Sequence, residues 1–117
     1  MLSYEIDGSI LALRASGAPT LDERLPVFEA VRADARVPDN ALLLLDVREV
    51  SAGMSEYVVV ERLRVLLDQL GPKLGPVCAM IVSPEVADQA RIFQTEPIGF
   101  GLRVDLFSDE HSAPVAQ

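Results

Sequence analysis

Ser55 lies in the segment of the sequence that comes closest to a catalytic motif. Residues 53–57 read Gly-Met-Ser-Glu-Tyr, which matches the nucleophile elbow G-x-S-x-G except at its last glycine. Asp105 and His111 follow it in the chain order of a hydrolase. His111 is the only histidine and lies in the predicted C-terminal tail, where no third group is placed to orient it as a base. We therefore predict no catalytic residue and no enzymatic activity.

Three carboxylates are predicted near one end of the sheet, namely Asp46, Glu49 and Glu56. Carboxylates without a histidine are a weak signal for a metal site, and a solvated acidic rim is the simpler interpretation. The glycines at 71–75 lack the lysine and hydroxyl residue of a phosphate loop, and those at 99–101 lack the third glycine of a dinucleotide motif. The sequence predicts neither a metal nor a cofactor.

The composition is that of one acidic domain with an aliphatic core. The chain has 117 residues, of which 50% are hydrophobic and 5% aromatic, and its formal net charge is −8. We predict a single domain over residues 1–117, with a frayed tail from about residue 112. The negative charge argues against nucleic acid or an anionic membrane surface as a partner.

Cys78 is the only cysteine, so the chain forms no intrachain disulfide. Because it lies in an unbroken apolar run, its thiol is predicted to act as a small buried hydrophobe. No segment has the length of a membrane span, and the N-terminus has no basic region followed by an apolar one. We predict a cytoplasmic location.

The first third of the sequence predicts a β-hairpin followed by a helix. Asp7-Gly8 is a strong two-residue turn signal, because glycine accepts positive φ. Thr20 and Glu23 fit a capping box. Because Pro26 has no N–H, the regular helix is predicted to begin at Asp22 or Glu23. Its apolar face is predicted to contain Leu25, Phe28, Val31 and Ala35.

The central third predicts a buried strand, a polar turn and the longest helix of the chain. Leu42 to Leu45 is a continuous aliphatic run closed by Asp46, which suits a strand covered on both faces. From Glu56 to Leu70 apolar residues repeat at three and four positions. Gly71-Pro72 is predicted to end the helix, with the glycine in a left-handed cap.

The last third predicts two further strands with a helix between them. After a second breaker at Gly75-Pro76, residues 77–82 form another apolar run, and Ser83-Pro84-Glu85 opens a helix. Residues 102–107 alternate, as an edge or half-covered strand does. The predicted order is β-β-α-β-α-β-α-β, an α/β fold with a mostly parallel five-stranded sheet and an N-terminal β-hairpin. Three arginines are predicted to lie on solvated faces, namely Arg62, Arg64 and Arg91. Each of them could also meet a carboxylate of a partner protein.

This arrangement resembles the SpoIIAA-like fold of STAS domains, which is related to the SEC14 lipid-binding fold. The resemblance covers nearly the whole chain and is carried by residues 43–50, Leu-Leu-Leu-Asp-Val-Arg-Glu-Val, at the end of the central strand. Residues 90–94 and 104–109 look like further parts of small bacterial STAS/SEC14 domain-containing proteins. Those families usually end in a helix with an aliphatic–tryptophan pair, and this sequence has no tryptophan.

The resemblance implies a serine switch at the start of the helix that follows the central strand. In anti-sigma-factor antagonists with STAS domains, an aspartate-serine pair opens that helix and a partner kinase phosphorylates the serine. Ser55 takes the serine position here, but Met54 stands at the aspartate position. A phosphate on Ser55 would be stabilised by the helix dipole. A simple helix cap formed by Ser55 or Ser51 is the commoner role for a serine at such a position.

We therefore predict a regulatory module of STAS type that binds a protein partner around residues 51–61. Its candidate residues for phosphorylation or partner contact are Ser55, Ser51, Glu56 and Asp46. The alternative is a carrier of a small apolar ligand, suggested by the SEC14 relationship, with a pocket between the helices and the sheet. Self-association through an apolar helix face or an edge strand would give a homodimer.

Overall fold

The computed structural model describes residues 1–50, 56–85, 87, 91 and 103–108. Its strands are β1 (Leu2–Asp7), β2 (Ile10–Gly17), β3 (Ala41–Val50), β4 (Leu74–Ile81) and β5 (Arg103–Phe107), and its helices are α1 (Leu21–Ala33) and α2 (Glu56–Leu70). The strands form one sheet in the order β1-β2-β3-β4-β5. β1 and β2 pair antiparallel, and the other neighbours pair in parallel. The predicted mostly parallel five-stranded sheet with an N-terminal hairpin is therefore confirmed.

The third predicted helix lies largely outside the described residues. Residues 84, 85 and 87 are helical, and the N–H of Ala87 donates to the carbonyl oxygen of Ser83 at 2.9 Å, which is the hydrogen bond of an α-helix that starts there. The rest of this helix and the predicted frayed tail fall among residues that are not described. The described elements follow the order β-β-α-β-α-β-β, with these helical residues between the last two strands.

Both described helices pack on the same side of the sheet, which we call the helix face. Strands β2 to β5 are neighbours in chain order, so successive crossovers move in one direction and leave their helices on one side. The aliphatic core lies between this face and the two helices. It includes Leu11, Leu13, Leu43, Leu45, Cys78, Met80 and Val104 from the strands and Phe28, Val31, Leu63, Leu66 and Leu70 from the helices. The alternate strand residues form the second face.

The turn between β1 and β2 falls one residue later than predicted. Asp7 pairs with Ile10, so the two loop residues are Gly8 and Ser9, and Asp7 is still part of the strand. Gly8 has a φ of 59° at the first central position of the loop. Glycine is favoured at that position in two-residue hairpins because it adopts positive φ without steric cost.

Helix α1 starts earlier than Pro26 suggested. The side chain of Thr20 accepts a hydrogen bond from the N–H of Glu23, and the Glu23 side chain accepts one from the N–H of Thr20, so the predicted capping box is confirmed. The helix begins at Leu21, and Pro26 lies inside it. A proline removes one hydrogen bond of the ladder, and here the capped N-terminus and the buried Phe28 maintain the helix around it.

The apolar face of α1 is narrower than predicted. Phe28 and Val31 are buried, but Leu25 is exposed and Ala35 lies beyond the end of the helix. Helix α2 follows its prediction more closely. It runs from Glu56 to Leu70, and the buried ones among its described side chains are those of Leu63, Leu66 and Leu70. No helix within the described residues is long and apolar enough to cross a membrane.

Strand β3 continues past the exit predicted at Asp46. It extends to Val50 because β2 supplies parallel partners that far, with Ser16 beside Glu49 and Gly17 beside Val50 after a shift of register. Asp46 is therefore a strand residue, and only 7% of it is exposed.

The two glycine-proline pairs after α2, Gly71-Pro72 and Gly75-Pro76, do not have the structures predicted for them. Residues 71–73 form a 3-10 turn, and Gly71 does not take the left-handed conformation. Strand β4 starts at Leu74, so Gly75-Pro76 lies inside the strand. A Cβ atom at position 75 would lie 2.9 Å from the carbonyl oxygen of Asn40. Glycine is needed there because the two backbones approach closely.

Candidate functional site

The four predicted site residues lie along the path from β3 to α2. Asp46 lies towards the carboxyl end of β3, and Glu56 is the first residue of α2, its side chain being outside the description. Ser51 and Ser55 lie in the segment between them, which is outside the described residues. Because β2 and β3 are parallel and each is followed by a helix, the N-terminal ends of α1 and α2 both lie at the carboxyl end of the sheet.

Asp46 is held by two arginines, and we call Arg14, Asp46 and Arg48 the Asp46 cluster. Arg48 donates from Nε to Oδ1 at 3.0 Å and from Nη2 to Oδ2 at 2.7 Å, and its backbone N–H donates to Oδ1 at 3.1 Å. Arg14 Nε lies 3.4 Å from Oδ2. Two-point pairing between a guanidinium and a carboxylate combines charge with fixed geometry. The predicted solvated acidic rim is therefore wrong at Asp46, which is buried and charge-compensated.

The environment keeps Asp46 ionised. Burial raises the pKa of Asp46, but the hydrogen bonds from Arg48 and the charges of Arg48 and Arg14 outweigh it, so the pKa lies below its ordinary value. An ionised carboxylate can only accept hydrogen bonds, and these oxygens already accept from arginine. Its role is therefore to fix the end of β3, and it is a poor general acid. No group of three metal-ligating side chains occurs among the residues described.

A cavity of about 230 Å³ adjoins the Asp46 cluster on the second face of the sheet. Its floor is formed by Ile10, Ala12, Leu44 and Ile81, and its rim carries Ser3, Glu5, Asp7, Arg14 and Asp46. This position is on the opposite side of the sheet from α1 and α2, whereas the carrier prediction placed a pocket on their side. The order of the described parallel strands does not reverse, so their sheet lacks the switch point at which α/β folds usually bind ligands.

A second cationic group lies between α1 and α2, and we call Arg24 and Arg62 the arginine pair. Arg24 donates from Nε to the carbonyl oxygen of Thr20 at 3.3 Å, but its Nη1 is buried without a hydrogen-bond partner. Burial, and after it the charge of Arg62, lowers the pKa of Arg24. Within the described part of the chain, no acidic side chain pairs with either arginine. Two like charges thus lie within electrostatic range of each other, on two helices that also contact each other through Arg32 and Gln69.

Two exposed leucines flank Arg24 on α1. Leu21 is 46% exposed and Leu25 is 36% exposed, and they are four residues apart, which places them on the same side of the helix. Because Arg24 lies within electrostatic range of Arg62, this part of α1 is close to the first half of α2. The leucines and the arginine pair therefore form one surface, which we call the α1–α2 surface.

Sequence reasoning found Asp46 but missed its partners. Arg48 follows Asp46 by two residues, which puts both side chains on the same side of a regular strand. The contact between them could therefore have been predicted from the sequence. Arg14 is 32 positions earlier in the sequence, and only the pairing of β2 with β3 brings it near. Arg62 was predicted to lie on a solvated face from which it could meet a partner's carboxylate, and Arg24 had no signal.

Cys78 behaves as predicted. The residue is fully buried in β4, and burial, with a smaller effect from the charge of Asp105, raises the pKa of its thiol to about 12. A thiol of that kind stays protonated and is a poor nucleophile.

The comparisons with known proteins identify the fold. A scan against protein-family models gives no match, and a search of curated proteins gives none either. Among solved structures, the chain is similar to an uncharacterized protein of the DUF3478 family from Shewanella loihica PV-4, which has a SpoIIAA-like fold. The similarity covers 97% of this chain and 89% of that one, with a TM-score of 0.61 and 22% sequence identity. The chain therefore has the SpoIIAA-like fold that its sequence predicted.

Proposed function

We propose that the protein is a non-catalytic regulatory module that binds a protein partner at the carboxyl end of its sheet. The contact region comprises residues 51–61 and the α1–α2 surface. The observation that carries the proposal is the exposed pair Leu21 and Leu25 beside the first half of α2. Neighbouring large apolar side chains that remain exposed are typical of surfaces that contact another protein.

The Asp46 cluster supports this proposal through rigidity. It fixes the end of β3, from which the chain enters the segment 51–55 and then α2. Pre-organised backbone beside a contact region reduces the conformational entropy that is lost when the partner binds. Ser55, Ser51 and Glu56 follow directly from this fixed point, which is where the STAS resemblance puts a regulatory serine. The same resemblance favours a cytoplasmic regulatory protein as the partner.

Site-specific photo-cross-linking in the host cell tests the proposal. A photoreactive amino acid at position 25 should form a covalent adduct with one protein, and the same amino acid at Asp39, which is exposed in the loop before β3, should not. The affinity of the purified partner should then fall about tenfold for Leu25→Ser, because an apolar contact of about 1.4 kcal/mol is lost. Absence of an adduct specific to position 25 would contradict the interaction function.

The role of Ser55 is tested separately with the same partner. If Ser55 is a phosphorylation switch, Ser55→Asp should change the affinity and Ser55→Asn should not, because only the aspartate adds negative charge. Equal affinities for the two variants would assign Ser55 to helix capping, since both side chains are good caps. Mass spectrometry of the protein from its own host shows whether a phosphate is present.

The cavity on the second face supports a second candidate function, the binding of a small molecule. About 230 Å³ is less than the roughly 300–1,000 Å³ of ordinary ligand pockets, so a lipid chain would not fit. The apolar floor and charged rim suit a small molecule with one polar end. Native mass spectrometry should show a bound mass that Leu44→Trp abolishes by filling the floor, whereas an unliganded wild type and an empty solvent extract would reject this candidate.

A further inference from the structure

Arg24 and Arg62 have no acidic partner among the described residues, whereas five other arginines each contact a carboxylate. Arg14 and Arg48 contact Asp46, Arg36 contacts Asp34, Arg64 contacts Glu61 and Arg103 contacts Asp105. Arg32 donates to the side chain of Gln69. Arg24 instead lies near a second cation, with its Nη1 buried and unmatched. Such an arrangement costs free energy in the isolated chain, because a buried donor has lost water without gaining an acceptor.

Binding of an anion would remove two unfavourable contributions, the unmatched donor of Arg24 and the repulsion between the two arginines. The anion would accept from the unmatched guanidinium of Arg24 and would separate the like charges of Arg24 and Arg62. Arg24 and Arg62 are both partly exposed, although Nη1 of Arg24 is itself buried, so an anion reaches that atom only when the Arg24 side chain turns outward. The exposed Leu21 and Leu25 lie on the same helix close to Arg24, so a bound anion would have apolar surface beside it.

We propose that Arg24 and Arg62 bind a carboxylate of the partner protein, on a segment whose apolar side chains contact Leu21 and Leu25. This inference rests on the proposed interaction function and specifies the chemistry of the partner. A single carboxylate fits better than a polyanion, because the chain as a whole carries a net charge of −8 and repels extended negative charge. A guanidinium binds a carboxylate through two parallel hydrogen bonds, which also sets the orientation of the segment.

Selection from a random peptide library displayed on phage tests the proposal with a defined probe. Peptides selected on the 117-residue chain should contain an acidic residue among apolar ones. Their affinity should fall about tenfold or more for Arg62→Gln and for Leu25→Ser. Arg103→Gln removes an arginine at the far edge strand β5 and should leave the affinity unchanged. Binding should weaken as salt is raised, because part of it is electrostatic.

A charge exchange separates direct contact from a structural role of Arg62. A selected peptide whose acidic residue is changed to lysine should no longer bind the wild type. The same peptide should bind the double variant Arg24→Glu/Arg62→Glu, because the attractive pairing is restored with its signs reversed. A variant that had merely lost its structure would not regain binding in this way, and urea unfolding of the double variant provides an independent check of folding.

Two results would overturn this inference. One is a selected set without enrichment of acidic residues, or no peptide above background. The other is a set of peptides that bind Arg62→Gln and wild type equally. Either result removes the carboxylate site but leaves the broader interaction function standing if position 25 still cross-links to a partner. If position 25 also fails to cross-link to a partner, both the carboxylate site and the interaction function are rejected.

Discussion

Two cationic regions of this molecule use arginine in opposite ways. In the Asp46 cluster, a buried carboxylate accepts four contacts from Arg14 and Arg48, and the positive and negative groups compensate each other. In the arginine pair, Arg24 and Arg62 lie near each other without a described acidic partner. The comparison teaches that arginine stabilises this fold where its donors are matched inside the chain, and that it is available for binding where they are not.

The two regions also differ in what surrounds them. The Asp46 cluster lies across neighbouring strands, whose register is fixed by backbone hydrogen bonds. The arginine pair lies between two helices that contact each other through side chains, with exposed leucines beside it. A charge network on a sheet is held in one geometry, whereas side chains between helices can adjust to an incoming partner. Substitutions in the two regions should therefore have opposite consequences.

The largest effect is expected from Asp46→Asn. The asparagine keeps the shape of the side chain but removes the negative charge that Arg14 and Arg48 contact. The free energy of unfolding should fall by about 2–3 kcal/mol, less than the roughly 3–5 kcal/mol of a fully buried pair, because the Arg14 side chain is 60% exposed. Urea unfolding measures it, with the exposed Asp39→Asn as the control, which should change stability by less than about 0.5 kcal/mol.

Lowering the pH should reduce the difference in unfolding free energy between wild type and Asp46→Asn. Although burial raises the pKa of Asp46, the hydrogen bonds from Arg48 lower it more, so the folded state binds protons less readily than the unfolded state. The contribution to stability is complete above the ordinary aspartate pKa of about 3.9 and is lost as the pH falls through the lowered value. Unfolding free energies measured from about pH 6 to about pH 3 should converge for the two proteins. Parallel curves would show that Asp46 is not linked to acid denaturation.

Replacing an arginine by glutamine should change the free energy of unfolding in opposite directions in the two regions. Arg48→Gln should lower the free energy of unfolding by about 1–2 kcal/mol, because charge-assisted hydrogen bonds to a buried carboxylate are lost. Arg62→Gln should leave it unchanged or raise it by up to about 0.5 kcal/mol, because a like-charge contact is relieved. Equal destabilisation by both substitutions would mean that Arg62 supports the fold and would weaken its assignment to binding.

The smallest destabilisation is expected at the N-terminus of α1. Thr20→Ala removes the capping box beneath Leu21 and Arg24 and should cost about 0.5–1 kcal/mol, while Thr20→Ser should be close to neutral. Amide hydrogen exchange should show that the loss is confined to the first turn of α1 and does not reach the Asp46 cluster. An equal loss of protection in β3 would show that the two regions are coupled.

Much of the fold was predictable because its signals are local. The apolar period of α2 gave its bounds, Glu56 to Leu70, and the pair Thr20 and Glu23 gave the cap of α1. The continuous aliphatic runs gave the central strands, and their alternation with helices gave the parallel sheet. Each of these signals depends only on residues a few positions apart in the sequence, so the sequence alone is sufficient to predict the feature.

The errors arose where a distant element overrides a local signal. Asp46 reads as the end of a strand, but pairing with β2 extends β3 by four residues and buries the carboxylate. Gly75-Pro76 reads as a breaker, but it lies inside β4, where the pairing with β3 shifts register between Ala41 and Leu43. Leu25 reads as a core position, yet the packing of α1 leaves it exposed.

The sequence by itself determined the fold class, the mostly parallel sheet with its N-terminal hairpin and the aliphatic core, because hydrophobic period and capping act over one or two helical turns. Only the tertiary structure decided which charges are matched. Arg14 meets Asp46 because β2 lies beside β3, and Arg24 meets Arg62 because α1 lies beside α2. Electrostatic pairing depends on distances in space, and for residues more than thirty positions apart those distances are set by packing rather than by local sequence.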